Sequence, residues 1–232
     1  LVAALKELRI KPVLLAPTGR AAKVLARYCG EQALTIHKRI YRQRTNADYE
    51  SKFSLDFNRE QGAVFIVDEA SMLSDSTGDG ALFGSGSLLE DLVSYVRSGR
   101  SCRLILVGDS AQLPPVGCDF SPALDPATVS RYGEVVYGLM DEVVRQQMQS
   151  GILFNATLVR CMLENRIYEI PKFEMDYPDF ESVEGGDFME KLQDAFDRYG
   201  RDEVIVITRS NKRANRYNEG IRRYILSAEE EI

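Results

Sequence analysis

The 232-residue chain is poor in the residues that build metal centres and disulfide frameworks. His37 is its single histidine, which excludes triads and metal sites built on several imidazoles. Cys29, Cys102, Cys118 and Cys161 are far apart and irregular, with no CxxC pair and no zinc spacing, so reduced structural thiols are expected. A membrane-spanning helix needs about 18 or more consecutive apolar residues, and no run comes near that. Lys6, Glu7, Arg9 and Lys11 break up the apolar start, so the stretch from Leu1 does not resemble a signal peptide, and the cytoplasm is the expected compartment. Positive charge is short as well. The net charge of −6 has the wrong sign for a chain that grips nucleic acid with its whole surface, and leaves room only for a local basic groove. With 44% hydrophobic and 28% charged residues the chain can bury a core, and its length suits one large domain or two small ones.

What is present is arranged around Val64-Phe65-Ile66-Val67-Asp68-Glu69-Ala70-Ser71. Four apolar residues in a row, three of them β-branched, predict a strand buried on both faces. Asp68 and Glu69 then fall where that strand ends. In open parallel α/β sheets the carboxyl ends of the strands are where ligands bind. An acid pair there can hold Mg²⁺ through water, and can orient or deprotonate an attacking water. Taken alone, the pair is read equally well as a solvated Asp-Glu step. Arg103–Val107 repeats the pattern and runs into Gly108-Asp109-Ser110-Ala111-Gln112-Leu113-Pro114-Pro115-Val116-Gly117. Gly108 allows a sharp exit and the proline pair stiffens the path beyond. Gln112, three residues past Asp109, is placed to reach a group bound between the two strand ends.

These two stretches resemble motifs II and III of superfamily 1 helicases, and DEAS followed by GDxxQLPPVG resembles the RecD-like and Pif-type branch. Ala16-Pro17-Thr18-Gly19-Arg20-Ala21-Ala22-Lys23-Val24-Leu25 resembles motif Ia, which grips the single-strand backbone, and Thr35-Ile36-His37 resembles motif Ib. Leu139-Met140-Asp141-Glu142-Val143-Val144-Arg145-Gln146 resembles motif IV, which opens a second RecA-like domain. The resemblance implies an α/β fold of P-loop NTPase type: RecA-like helicase domains with parallel sheets flanked by helices. It implies a first domain over 1–137 and the start of a second over 138–232. It also implies ATP and Mg²⁺ as cofactors, and single-stranded DNA as partner, with a multi-subunit helicase–nuclease complex as a further partner left open.

The roles implied fall on particular residues. Asp68 holds the metal through water, Glu69 activates the attacking water, Gln112 senses the γ-phosphate, and Arg145 places a cation on the transferring phosphoryl group. Gly108 and Asp109 complete the nucleotide side. Thr18, Arg20, Thr35 and His37 form the DNA track of the first domain, with Arg209 and Asn211 in the second. Read without the family, the segment at Thr18 is an ordinary strand–turn–helix, with Thr18 or Gly19 as N-cap, and backbone N–H groups plus Arg20 offering a phosphate cradle. His37 then makes a DNA-side hydrogen bond or packs, and the basic stretch around Arg209 is a solvated helix face.

Elsewhere, helices are expected over 1–9, 88–96, 151–163 and 187–199, short strands over 13–16 and 53–57, and a buried strand at Val204–Ile207. The residues from 165 to 186 read as a loop or inserted excursion, and 74–87 as a mobile loop. A Walker A loop, whose Lys and hydroxyl hold phosphates and Mg²⁺, is absent from these residues. The expectation is a middle section of a longer enzyme, inactive by itself, with a gap between strands where the loop's strand belongs. An RNA-directed superfamily 1 enzyme and a non-catalytic scaffold subunit are the alternatives.

Overall fold

A computed structural model describes residues 1–45, 51–75, 83–140 and 150–226. The chain falls into two compact units, Leu1–Asp141 and Glu142–Ile232. Arg145, most of the motif IV stretch and residues 76–82 lie outside the described residues.

The first unit opens with helix α1 (Val2–Glu7), strand β1 (Pro12–Ala16) and helix α2 (Gly19–Cys29). Strand β2 (Ala33–Thr35), helix α3 (Ile36–Ile40) and the hairpin of β3 (Tyr41–Thr45) and β4 (Ser51–Leu55) follow. Strand β5 (Val64–Val67), helix α4 (Leu88–Ser98), strand β6 (Arg103–Leu106) and the short helix α5 (Pro126–Val129) complete it. The main sheet has the order β2-β1-β5-β6 and every pair in it is parallel.

Side chains along β5 alternate between two cores. Phe65 and Val67 join Leu15, Ile36, Ile40, Leu89, Leu92 and Val96, so α3 and α4 cover that face. Val64 and Ile66 join Leu5, Leu14, Leu25 and Cys29, so α1 and α2 cover the other. Each such side chain contributes roughly 1.5–3 kcal/mol by leaving water, and being covered on both faces is why the strand is continuously apolar.

The hairpin is pinned to α4 by a buried pair. The Tyr41 hydroxyl donates to Asp91 Oδ2 at 2.7 Å, and the Ser85 amide donates to the same oxygen at 3.0 Å. Burial, and then the bond to Asp91, push the Tyr41 phenol well above its ordinary value, so it stays a donor. Gly84 has φ +48°, and a Cβ there would overlap the Asp91 carboxylate, so the turn admits only glycine.

The second unit is helical in its described residues: α6 (Gly151–Glu164), α7 (Phe188–Tyr199) and α8 (Asn211–Gly220), the last continuing into a π-helical turn at Ile221–Ile225. The stretch between α6 and α7 folds back on α6. Asp179 accepts from Ser150 Oγ at 2.6 Å and from the Gly151 amide at 2.7 Å, capping the helix. Buried Asn155 exchanges bonds of 2.8 Å with both backbone groups of Glu174.

Two expectations need correction. Val204–Ile207 is not a buried strand: no ladder partner pairs with it among the described residues, and Ile205 and Ile207 are 65% and 88% exposed. An apolar run becomes a strand only where its amides find partners. Nor is there a gap between the sheet's strands, because β5 pairs directly with β6 from Val64↔Arg103 to Val67↔Leu106. β6 is instead an edge strand of this sheet, which is why Leu104, Ile105 and Leu106 are half-buried rather than buried.

Candidate functional site

The register of the sheet decides where the candidate residues emerge. Leu34, Leu15, Val67 and Leu106 stand in one row across β2, β1, β5 and β6. All four strands run the same way, so everything just after this row leaves from one edge, the carboxyl edge. Thr35 is the last residue of β2 and Thr18 stands two beyond β1. Asp68 follows β5 at once, and Gly108 stands two beyond β6.

The β5 exit is sharply built. The Asp68 amide donates to the Leu15 carbonyl at 3.0 Å, continuing the ladder one step past the strand. Glu69 then turns into the left-handed region, φ 56° and ψ 37°, and starts a 3-10 turn over Ala70–Met72. Its amide donates to Asp68 Oδ1 at 3.0 Å. Both carboxylate residues are half-buried, while Ala70 and Ser71 behind them are fully buried.

The β6 exit closes against the same turn. The Val107 carbonyl accepts from the Ala70 amide at 2.9 Å. A Cβ on Gly108 would stand 3.0 Å from the Ser71 nitrogen and 3.2 Å from that of Ala70, so the close approach favours glycine here. Beyond it, Asp109 Oδ1 accepts from the Ala111 amide at 3.0 Å and its carbonyl from the Gln112 amide at 3.1 Å. That turn presents Gln112 to solvent, beside the acid pair's strand exit.

On the β1 side, Thr18 rather than Gly19 is the N-cap of α2: its hydroxyl oxygen accepts from the Ala21 amide at 3.2 Å. Thr18, Gly19 and Arg20 are exposed, so the helix start faces solvent with its free N–H groups. Thr35 caps α3 in the same way, accepting from the Lys38 amide at 3.2 Å. His37 packs among aromatics, 5.1 Å from Phe83 edge-on and 5.7 Å from Tyr41. Burial lowers its pKa, so the ring is neutral at neutral pH.

The sheet thus brings Thr18, Arg20, Thr35, Asp68, Glu69, Gly108, Asp109 and Gln112 to one edge. Arg209 and Asn211 are exposed in the second unit, Asn211 as the first residue of α8 behind the Ser210 N-cap. Arg145 lies outside the described residues.

The donor set fits Mg²⁺ held mainly by water and phosphate. Asp68 and Glu69 offer hard carboxylate oxygens, and among the described residues no group of three or more His, Cys, Asp or Glu side chains forms an all-protein cage. Mg²⁺ keeps several waters and takes one or two carboxylates when it is bound together with phosphates.

Sequence reasoning missed Ser121. Its hydroxyl donates to the Ser71 carbonyl at 2.9 Å from fifty residues downstream, and Leu124, in the 3-10 turn Pro122–Leu124, reaches Gly108. The Ser-Pro step marks a turn, but nothing local says which turn it meets.

The sequence model of one family, described as an AAA domain, matches residues 1–118, the span that holds every candidate residue of the first unit. No curated protein matches the chain. No described helix is long and apolar enough to cross a membrane.

Proposed function

The chain belongs to this AAA-domain family, related to P-loop NTPases and found in superfamily 1 helicases, and from that premise we propose that it is part of a RecD-like DNA motor. Its α/β fold, a parallel sheet flanked by helices, is of the P-loop NTPase kind. In this reading the motor couples ATP hydrolysis to 5′-to-3′ movement on single-stranded DNA. The first unit is the ATPase domain, and a second RecA-like domain starts near residue 138. The observation that carries the reading is the convergence of the β5 and β6 exits, with Gly108 packed on Ala70–Ser71 directly behind the acid pair.

Each residue has a task. Glu69 takes the proton from the water whose oxygen attacks the γ-phosphorus, as the bond to the β-phosphate oxygen breaks and ADP leaves. Asp68 would hold Mg²⁺ through water, and the ion would neutralise charge on the phosphates. Gly108 and Asp109 shape the nucleotide side of the cleft, and Gln112 reports the presence of the γ-phosphate. Arg145 places a cation on the transition-state charge, worth roughly 10³-fold or more in other phosphoryl-transfer enzymes. Thr18, Arg20, Thr35 and His37 line the DNA track. The helix start at Thr18 and the Arg20 charge act on backbone phosphate, whereas neutral His37 contributes shape and hydrogen bonding. Arg209 and Asn211 hold the strand from the second domain.

The 232 residues contain no GxxxxGK[ST] loop, so the test uses the full-length protein. ATP turnover is measured alone, with single-stranded DNA and with single-stranded RNA of the same sequence. Stimulation by DNA well above that by RNA is expected. Preference for RNA would move the enzyme to RNA-directed work, and no turnover under any condition would leave a scaffold.

A further inference from the structure

We propose that Ser121 is a positioning residue for Glu69, acting through the turn that carries it; the proposal rests on the ATPase reading above. Glu69 has a left-handed backbone, φ 56°, which a residue with a Cβ adopts at a cost and keeps only when its surroundings hold it there. The hold is visible on both sides of the next two residues. The Ala70 amide is tied to the Val107 carbonyl at 2.9 Å, fixing the turn to the β6 exit. The Ser71 carbonyl is tied to Ser121 Oγ at 2.9 Å, fixing it to the segment beyond the Gly108–Gly117 loop.

Of these two ties, only the second is made by a side chain. It is also out of reach of solvent: Ser71 is 0% and Ser121 7% exposed. The Ser121 backbone is itself braced, its carbonyl accepting from the Leu124 amide at 3.0 Å, and Leu124 stands against Gly108. A shift of the loop at Gly108–Gln112, which senses nucleotide in the proposed function, therefore reaches Glu69 through Leu124, Ser121 and Ser71. Without the Ser121 hydroxyl the Ser71 carbonyl loses its donor, the turn relaxes, and the Glu69 carboxylate drifts from the attacking water. Misplacement on the order of 1 Å costs up to about a hundredfold in rate.

The test is a double-mutant cycle on DNA-stimulated ATP hydrolysis by the full-length protein, with Ser121→Ala and Glu69→Gln made singly and together. Wild-type turnover that Glu69→Gln lowers by roughly a hundredfold or more, to a rate still measurable, establishes the ATPase reading first; its absence would end that reading and this proposal together. Given that turnover, Ser121→Ala is expected to lower kcat about tenfold or more with KM for ATP unchanged, and to lower the residual rate of Glu69→Gln no further. Equal losses in both backgrounds, or a loss confined to KM, would overturn the proposal, because a general structural defect does not depend on Glu69. If Ser121→Ala does not fold, Ser121→Cys keeps the volume and weakens the donor. It is expected to lower kcat below wild type with KM for ATP unchanged, and wild-type kcat in a folded Ser121→Cys protein would also overturn the proposal.

Discussion

Glu69 combines a left-handed backbone with a place at the β5 exit, whereas Glu60 shows what an acid does when it holds the fold. Glu60 takes the Lys11 ammonium at 2.7 Å and the Arg39 guanidinium at 2.8 Å. The Lys11 bond, with Arg39 beside it, holds its carboxyl below the ordinary value of 4.5 against the opposite pull of burial. A depressed carboxylate stabilises the fold above its unfolded-state pKa, and that stability is lost as pH falls through the folded value. Glu60→Ala is therefore expected to destabilise the protein by about 1–3 kcal/mol at neutral pH. The difference from wild type should stay level down to about pH 4.5 and shrink below it. Denaturant titrations across pH measure this; a difference that grows on acidification would contradict it.

At the scale of elements, the helices and the β5 exit were legible because their signals are local. A β-branched run ending in two acids has few other fates, and Thr18 stands where a helix N-cap is wanted. The hairpin β3–β4 was legible only in part. Arg42, Gln43 and Arg44 carry no apolar alternation, and the pair is organised by Tyr41, Phe53 and Phe83, the last lying beyond β5 in the chain. β2, at three residues, is too short for any period to register. Val204–Ile207 has the composition of a strand but no ladder partner in the described residues, and composition alone cannot supply one. The stretch from 165 to 186 reads as a loop or inserted excursion in the sequence, because its anchor, Asn155, sits inside a helix. Asn155→Leu would remove both bonds to the Glu174 backbone, each contributing about 0.5–1.5 kcal/mol. Limited proteolysis should then cut between 165 and 186 well before it cuts in α6 or α7. An unchanged cleavage pattern would mean the clamp at Asn155 does not hold the stretch.

For the whole molecule, the parallel sheet accounts for the gathering of polar residues from four separate strands at one edge, and for the apolar strands behind them. The edge position of β6 places the Gly108–Gly117 loop at the rim of that sheet, with its first glycine against the turn at Ala70–Ser71. The charge of −6 leaves the proposed DNA binding to local groups: Arg20 and the exposed start of α2 offer positive potential at the carboxyl edge, beside the acids Asp68, Glu69 and Asp109. The site's long-range part, Ser121 on Ser71, was invisible in the sequence because it joins residues fifty apart.

The most direct measurement is single-turnover ATP hydrolysis by the full-length protein on single-stranded DNA, wild type against Glu69→Gln, with nucleotide affinity measured on the same samples. Unchanged ATP affinity is expected, with a hydrolysis rate lowered by roughly 10²-fold or more, the range for losing a proton-accepting group in the transition state. A Glu69→Gln protein that hydrolyses ATP at the wild-type rate would contradict it, because the carboxylate at the end of β5 would then take no part in the chemistry.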